Sequence, residues 1–239
     1  MNLKIITAFH GTVLYSKAFD HPDIYVPVYG GRTVSYHLPE QSRTMLADNT
    51  GDNISWMNPF IGEFTCIYWA SKHLDQIGNP DYIGLNHYRR LFPVERYMQQ
   101  LQQSEPFILT TAHVGNATVM QAAELEYGIQ DDLEDLFGQI LQSQEEKQLL
   151  EEFKQQSNYP DKNLFVIPTE ELSGYIDFMM RAVCLLYRDF QYQFHEGMQH
   201  QHRPARLLEF VTSYYLTKLA KTKYTRLVMN YEYPWGQFA

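Results

Sequence analysis

The chain has 239 residues with 44% hydrophobic and 15% aromatic content, enough to bury a sizeable core in one large domain with a helical appendage. Its formal net charge of -9 and pI near 5.4 exclude a broad nucleic-acid coat, which takes many phosphate-neutralising Lys and Arg; a local basic cluster can still hold one nucleotide. The two cysteines, Cys66 and Cys184, fall in helical apolar patterns and read as buried thiols in a reducing compartment rather than a disulfide framework.

The amino terminus carries one lysine and then an apolar run over residues 5–9, too short for the hydrophobic region of a signal peptide. No stretch approaches a membrane span. A soluble, cytoplasmic protein is expected, with peripheral contact at the inner face of a membrane open to it.

In chain order, residues 3–9 are apolar and β-rich and stop at His10-Gly11, which predicts a first buried strand. Residues 23–29 predict a second, ending at Gly30-Gly31; its internal Pro27 points to an edge or irregular position. The two glycines would admit a ligand close to the backbone, or simply turn the chain. Residues 32–57 lack apolar periodicity and read as an extended polar loop. Asn58-Pro59 then opens a helix, with Asn58 as N-cap and Phe60, Phe64, Ile67, Ser71 and Leu74 as its stripe. Glu63 lies beside that stripe, either compensating the macrodipole or serving as a functional acid.

The apolar tetrad Tyr82-Ile83-Gly84-Leu85 predicts a buried strand that gives way at Asn86-His87-Tyr88-Arg89-Arg90. After it come a short polar helix over 96–103, a strand over 106–111 ending near His113, and an amphipathic helix or helix pair over 131–153. Residues 163–167 form a fifth strand, Thr169 caps a long helix, and a helix over 204–219 precedes an aromatic tail through Tyr231, Tyr233, Trp235 and Phe238. Strands alternating with helices indicate an α/β fold. If the sheet is mostly parallel, His10, Gly30, His87 to Arg90, His113 and Asn163 line one rim, where open α/β sheets bind ligands. Two guanidinium forks, an imidazole and a phenol there suit a phosphorylated ligand, because arginine donates in pairs to phosphate oxygens.

The blocks Asp52-Asn53-Ile54-Ser55, Asn58, Glu63-Phe64-Thr65 with Tyr68-Trp69, and Tyr82 to Arg90 resemble the DUF4422 family of bacterial glycosyltransferase-like proteins from capsule, O-antigen and exopolysaccharide loci. The resemblance covers most of the chain, with Asn86 standing where the family carries a small residue or Cys. It implies a GT-A-like, nucleotide-diphospho-sugar transferase-like fold: a mostly parallel sheet flanked by helices, with a helical C-terminal part. Residues 1–239 would form a single domain, 1–115 as donor-binding half and 116–239 as mainly helical acceptor half. The implied partners are a nucleotide sugar of UDP-galactose type and a glycan or lipid-linked glycan acceptor, with no nucleic acid. By the same resemblance His10, Asp52, Asn53, Glu63, His87, Arg89, Arg90, Asn163 and Glu209 are site candidates. His10, Asp52, Asn53, His87, Arg89 and Arg90, with Gly30 from its place at a strand end, are assigned to the donor, Asn163 to a sugar or acceptor, and Glu63, Glu209 and Asp52, as carboxylates able to serve as the base, to catalysis.

A divalent Mn or Mg ion is usual in such folds on an Asp-x-Asp motif, and this chain has none. Asp132-Leu133-Glu134, the nearest imitation, reads as a solvated helix face. Arg89 or Arg90 is therefore expected to neutralise the diphosphate, and the other arginine has equal claim to a structural role. Glu209 sits in an apolar helix and needs a partner or a task; Asp52 and Asn53 can equally brace their loop as an Asx turn. His195, His200 and His202 match no helical ligand pair, so no metal site is expected there. The alternative to an enzyme is a non-catalytic nucleotide-sugar or glycan-binding module.

Overall fold

The computed structural model describes residues 1–10, 17–36, 38–113, 115–195 and 203–233. A nearly unbroken apolar run makes β1 (Leu3–Phe9) a buried central strand, as an apolar run covered on both faces should be. On one side it pairs in parallel with β2 (Tyr25–Tyr29), which in turn meets the two-residue β3 (Leu46–Ala47). β3 covers only Val28 and Tyr29, so Pro27 lies where β2 has an open outer edge and needs no ladder donor. On the other side β1 pairs in parallel with β4 (Tyr82–His87). Here Gly84 is set by packing: a Cβ would stand 2.5 Å from the Phe165 carbonyl oxygen.

With β5 (Phe107–Thr110), β6 (Phe165–Pro168) and β7 (Thr225–Val228) the sheet has seven strands in the order β3-β2-β1-β4-β6-β5-β7. β6 runs antiparallel to β4 and β5, and the other pairs are parallel. That single reversal shapes the rim. Six strands end there and β6 begins there, so Asn163, just ahead of β6, joins the strand ends because its strand runs backwards. In a wholly parallel sheet it would lie at the opposite edge.

The strands alternate between two cores. Ile6, Ala8, Val28, Ile83, Leu85 and Phe165 pack under α2 (Phe64–Lys72), α7 (Leu172–His195) and α8 (Arg203–Thr222), while Leu3, Ile5, Phe9, Tyr29 and Val166 meet Phe92, Val94 and Leu101. The mostly parallel, helix-flanked sheet with a helical C-terminal part is the expected GT-A-like architecture.

Several local expectations are corrected. The helix from Asn58 is two helices, α1 (Asn58–Ile61) and α2, broken at Gly62, whose φ of 62° suits glycine. Asn58 is helical rather than capping, and its amide braces the break by donating to Gly62 O and Thr65 Oγ1, both at 2.9 Å. Thr169 caps nothing: it starts a 3-10 turn and its buried hydroxyl has no partner. The helix pair is realised as α5 (Gln130–Ile140) and α6 (Gln144–Lys154), preceded by an unexpected α4 (Val119–Tyr127) with a Thr118–Gln121 capping box. α3 (Met98–Gln103) follows a 3-10 turn. Cys66 is buried as expected, but Cys184 is exposed, because its position on α7 turns away from the apolar stripe. Gly11, His200, His202, Trp235 and Phe238 lie outside the described residues, as does the side chain of His195. Among described residues, no helix is long and apolar enough to cross a membrane.

Candidate functional site

β4 ends in a tight turn in which the Arg90 amide donates to the His87 carbonyl at 2.8 Å and the Arg89 amide donates to His87 Nδ1 at 3.3 Å. An amide only donates, so Nδ1 is the acceptor and the ring proton sits on Nε2. Burial first, then Arg89, His10 and Arg90, push the His87 pKa down to about 3, which keeps the imidazole neutral. Its ring centroid lies 5.7 Å from that of His10 and 4.4 Å from that of Tyr88. The two arginines part company. Arg89 is exposed, over the Tyr88 ring at 5.4 Å, whereas Arg90 is half-buried over the Tyr231 ring at 5.7 Å, with its Nε buried and lacking a protein acceptor.

Across the rim, the chain enters β6 through Asp161-Lys162-Asn163. Lys162 and Asn163 have φ of 66° and 53°, left-handed conformations that cost roughly 1 kcal/mol each or more for a side-chain-bearing residue. What holds them is Thr111, whose hydroxyl bonds both the amide and the carbonyl of Asp161. Lys162 Nζ lies 3.2 Å from Asp161 Oδ2. Burial works against its charge, yet Asp161 and Tyr127 outweigh it and raise the lysine pKa. The Asn163 amide donates to Glu63 Oε1 at 3.2 Å, and its own Oδ1 is buried without a partner.

Glu209, from α8, completes this side. Burial raises its pKa to about 7; Arg206, at 2.7 Å, pulls the other way and Glu63 pushes up further. A carboxyl balanced near neutrality is suited to take and return a proton. Arg206 is itself held over the Tyr127 ring at 5.0 Å.

The candidates thus fall into three sets. His10, His87, Arg89 and Arg90 form one cluster and Glu63, Asn163 and Glu209 a second, with Lys162 acting electrostatically on both sides. Gly30, Asp52 and Asn53 have structural contacts of their own. A Cβ on Gly30 would meet Asn58 Nδ2 and Cys66 Sγ at 2.9 Å, so packing requires that glycine. Asn53 takes the Asx geometry, donating to Gly51 O and accepting from the Ser55 amide. Asp52 accepts from Tyr68 at 3.3 Å, more than a turn down α2 from Glu63. The sequence reading missed Lys162, Asp161 and Arg206 as site residues; Asp-Lys-Asn ahead of a strand carries no signal beyond a turn.

Among described residues, no three His, Cys, Asp or Glu side chains converge as a metal site. Asp132 pairs with Arg203, and Glu134 with Lys154 at 3.6 Å. Among the described residues the strand end presents the cations Arg89 and Arg90. Hollows of about 440 and 640 Å³ lie elsewhere, at the β2 edge and on the α5–α7 surface, without such convergence of charged groups.

The family model described as "Domain of unknown function (DUF4422)" matches residues 4–221. A search among curated proteins gives no match. A solved structure described as the apo form of the bifunctional glycosyltransferase WbbM superposes with a TM-score of 0.72 at 19% identity, covering 98% of this chain and 45% of that one. This likeness is one of fold, and the chain spans less than half the length of that relative.

Proposed function

The chain belongs to the DUF4422 family, and from that premise we propose that it is a cytoplasmic glycosyltransferase, moving a hexosyl group of galactosyl type from a nucleotide-diphosphate sugar to a surface-polysaccharide acceptor. The observation that carries this reading is a carboxyl, Glu209, whose pKa is raised to about 7 in the field of Lys162, which also acts on the tyrosines beside Arg90 at the strand end. The solved glycosyltransferase of like fold supports it.

In this reading Glu209 takes the proton of an acceptor hydroxyl as its oxygen attacks the anomeric carbon. The bond from that carbon to the phosphate oxygen breaks, and its electron pair leaves with the nucleoside diphosphate. Arg90, Lys162 and the more exposed Arg89 neutralise the charge that builds on the leaving group. Neutral His87 offers its Nε2 proton as a hydrogen bond, and Glu63, held by Asn163, orients sugar hydroxyls. Residues 1–115 supply most of the donor side and the helical remainder most of the acceptor side.

The test is release and transfer of sugar from a panel of UDP-hexoses. Turnover that falls with Glu209→Gln, together with donor binding that falls with the Arg89→Ala/Arg90→Ala double variant, supports the reading. Saturable donor binding with no turnover at any pH identifies a binding module instead.

A further inference from the structure

Beyond β7 the chain folds back over the β4 turn. The Met229 amide donates to Thr110 O at 3.0 Å, Leu91 and Glu232 exchange backbone hydrogen bonds of 3.0 and 2.8 Å, and the Glu232 carboxylate takes both Nη atoms of Arg96 at 2.6 and 3.2 Å. This strap, residues 229–233, lies beyond the family match, which ends at residue 221. It places the Tyr231 ring against Arg90, 5.7 Å from the guanidinium carbon, and the Tyr233 ring 5.5 Å from that of Tyr231.

The Tyr233 phenol is held below its usual pKa by its contact with the Tyr231 hydroxyl first, and then by the positive charges of Arg90 and Lys162. A neutral phenol has one hydrogen to give, and a neighbouring cation polarises it into a better donor. Arg90 Nε is also buried without an acceptor. The guanidinium of Arg90 with the phenol of Tyr233 beside it, in the positive field of Lys162, suits an anion with several oxygens, and Glu232, the strap's carboxylate, is taken up by Arg96.

We propose that the strap is part of the anion site: Tyr231 fixes Arg90, and Tyr233 donates a hydrogen bond to an oxygen of the bound diphosphate. The identification of that anion as a sugar donor's diphosphate rests on the glycosyltransferase reading.

Calorimetric titration with inorganic pyrophosphate and with UDP tests this on the whole chain. Tyr233→Phe keeps the ring and removes one hydroxyl, so its melting temperature should match wild type while both affinities fall roughly tenfold, the scale of a hydrogen bond to a charged group. Glu232→Ala, which undocks the strap from Arg96, should weaken both ligands too. Wild-type affinity for pyrophosphate in Tyr233→Phe overturns the inference and leaves the transferase reading intact. Pyrophosphate binding that depends on Tyr233, with no binding of UDP, upholds the inference and removes the transferase reading. A wild-type chain that binds neither ligand overturns both.

Discussion

Residues 48–58 and residues 161–163 are both polar segments that reach the same rim of the sheet, and their polar groups are spent differently. In the first, Asp48 accepts from the Gly31 amide at 2.8 Å, the Arg32 amide at 3.1 Å and Ser55 Oγ at 2.5 Å. Thr50 accepts from Trp69 Nε1, and Asn53 and Asn58 close on their own neighbourhood. In the second, two consecutive residues sit in left-handed backbone, Asn163 Oδ1 is buried without a partner, and the opposing Arg90 leaves Nε unmatched. Backbone strain and unspent hydrogen bonds together are enriched at functional sites. The first segment spends its polar groups on the fold, and on the proposed reading the second keeps its own for a ligand.

Substitutions can break or sharpen that contrast. The largest effect is expected at Glu209→Gln, which keeps the shape and an oxygen for Arg206 but cannot accept a proton. Turnover should fall by roughly 10²–10⁴-fold with UDP affinity unchanged. The wild-type rate should rise with pH through about 7 as Glu209 ionises, and Glu209→Gln should lose that limb. Steady-state rates across pH 5–9 measure both.

His87 gives a stability signature of similar size. Its folded pKa of about 3 lies below the unfolded value near 6.5, so the unfolded chain binds the extra proton between them. Stability is full above pH 6.5 and is lost as pH falls toward 3, by on the order of 4 kcal/mol. Urea unfolding of wild type and His87→Gln at pH 7 and pH 4 should show a shallower pH dependence in the variant.

Asp48→Ala should cost about 3 kcal/mol, because it strands two backbone amides and the Ser55 hydroxyl. At a temperature where the variant is folded, UDP affinity should hold. Lys162→Gly should do the reverse and by less: relief of the left-handed strain adds about 1 kcal/mol of stability, while pyrophosphate affinity falls several-fold. A Lys162→Gly variant that loses stability would erase the distinction between the segments.

How much of this could be read from the sequence follows the same division. β1 and β4 are legible as apolar runs, and His87, Arg89 and Arg90 are legible because they adjoin at a strand end. Glu209 announces itself as a carboxylate in an apolar helix. The direction of β6 is not legible, since an apolar run has no polarity, and yet that direction brings Asn163 to the rim. β7 is a half-exposed edge strand whose Thr-Arg-Leu-Val gives little apolar signal. Lys162 is hidden for a different reason: lysine is not a residue that advertises left-handed backbone, so only the fold reveals it. The resemblance carried through Asp52 and Asn53 identified the family, while the local geometry of those residues is that of a braced loop.

On the proposed reading, the rim beside β4 and β6 binds the diphosphate of a sugar donor through the chain's own cations. Calorimetric titration of UDP into the wild-type chain and the Arg89→Ala/Arg90→Ala double variant tests it most directly. The account predicts saturable one-to-one binding in the wild type and a loss of at least about 100-fold in the double variant, on the scale of two charge-assisted contacts. An unchanged dissociation constant in the folded variant would contradict it.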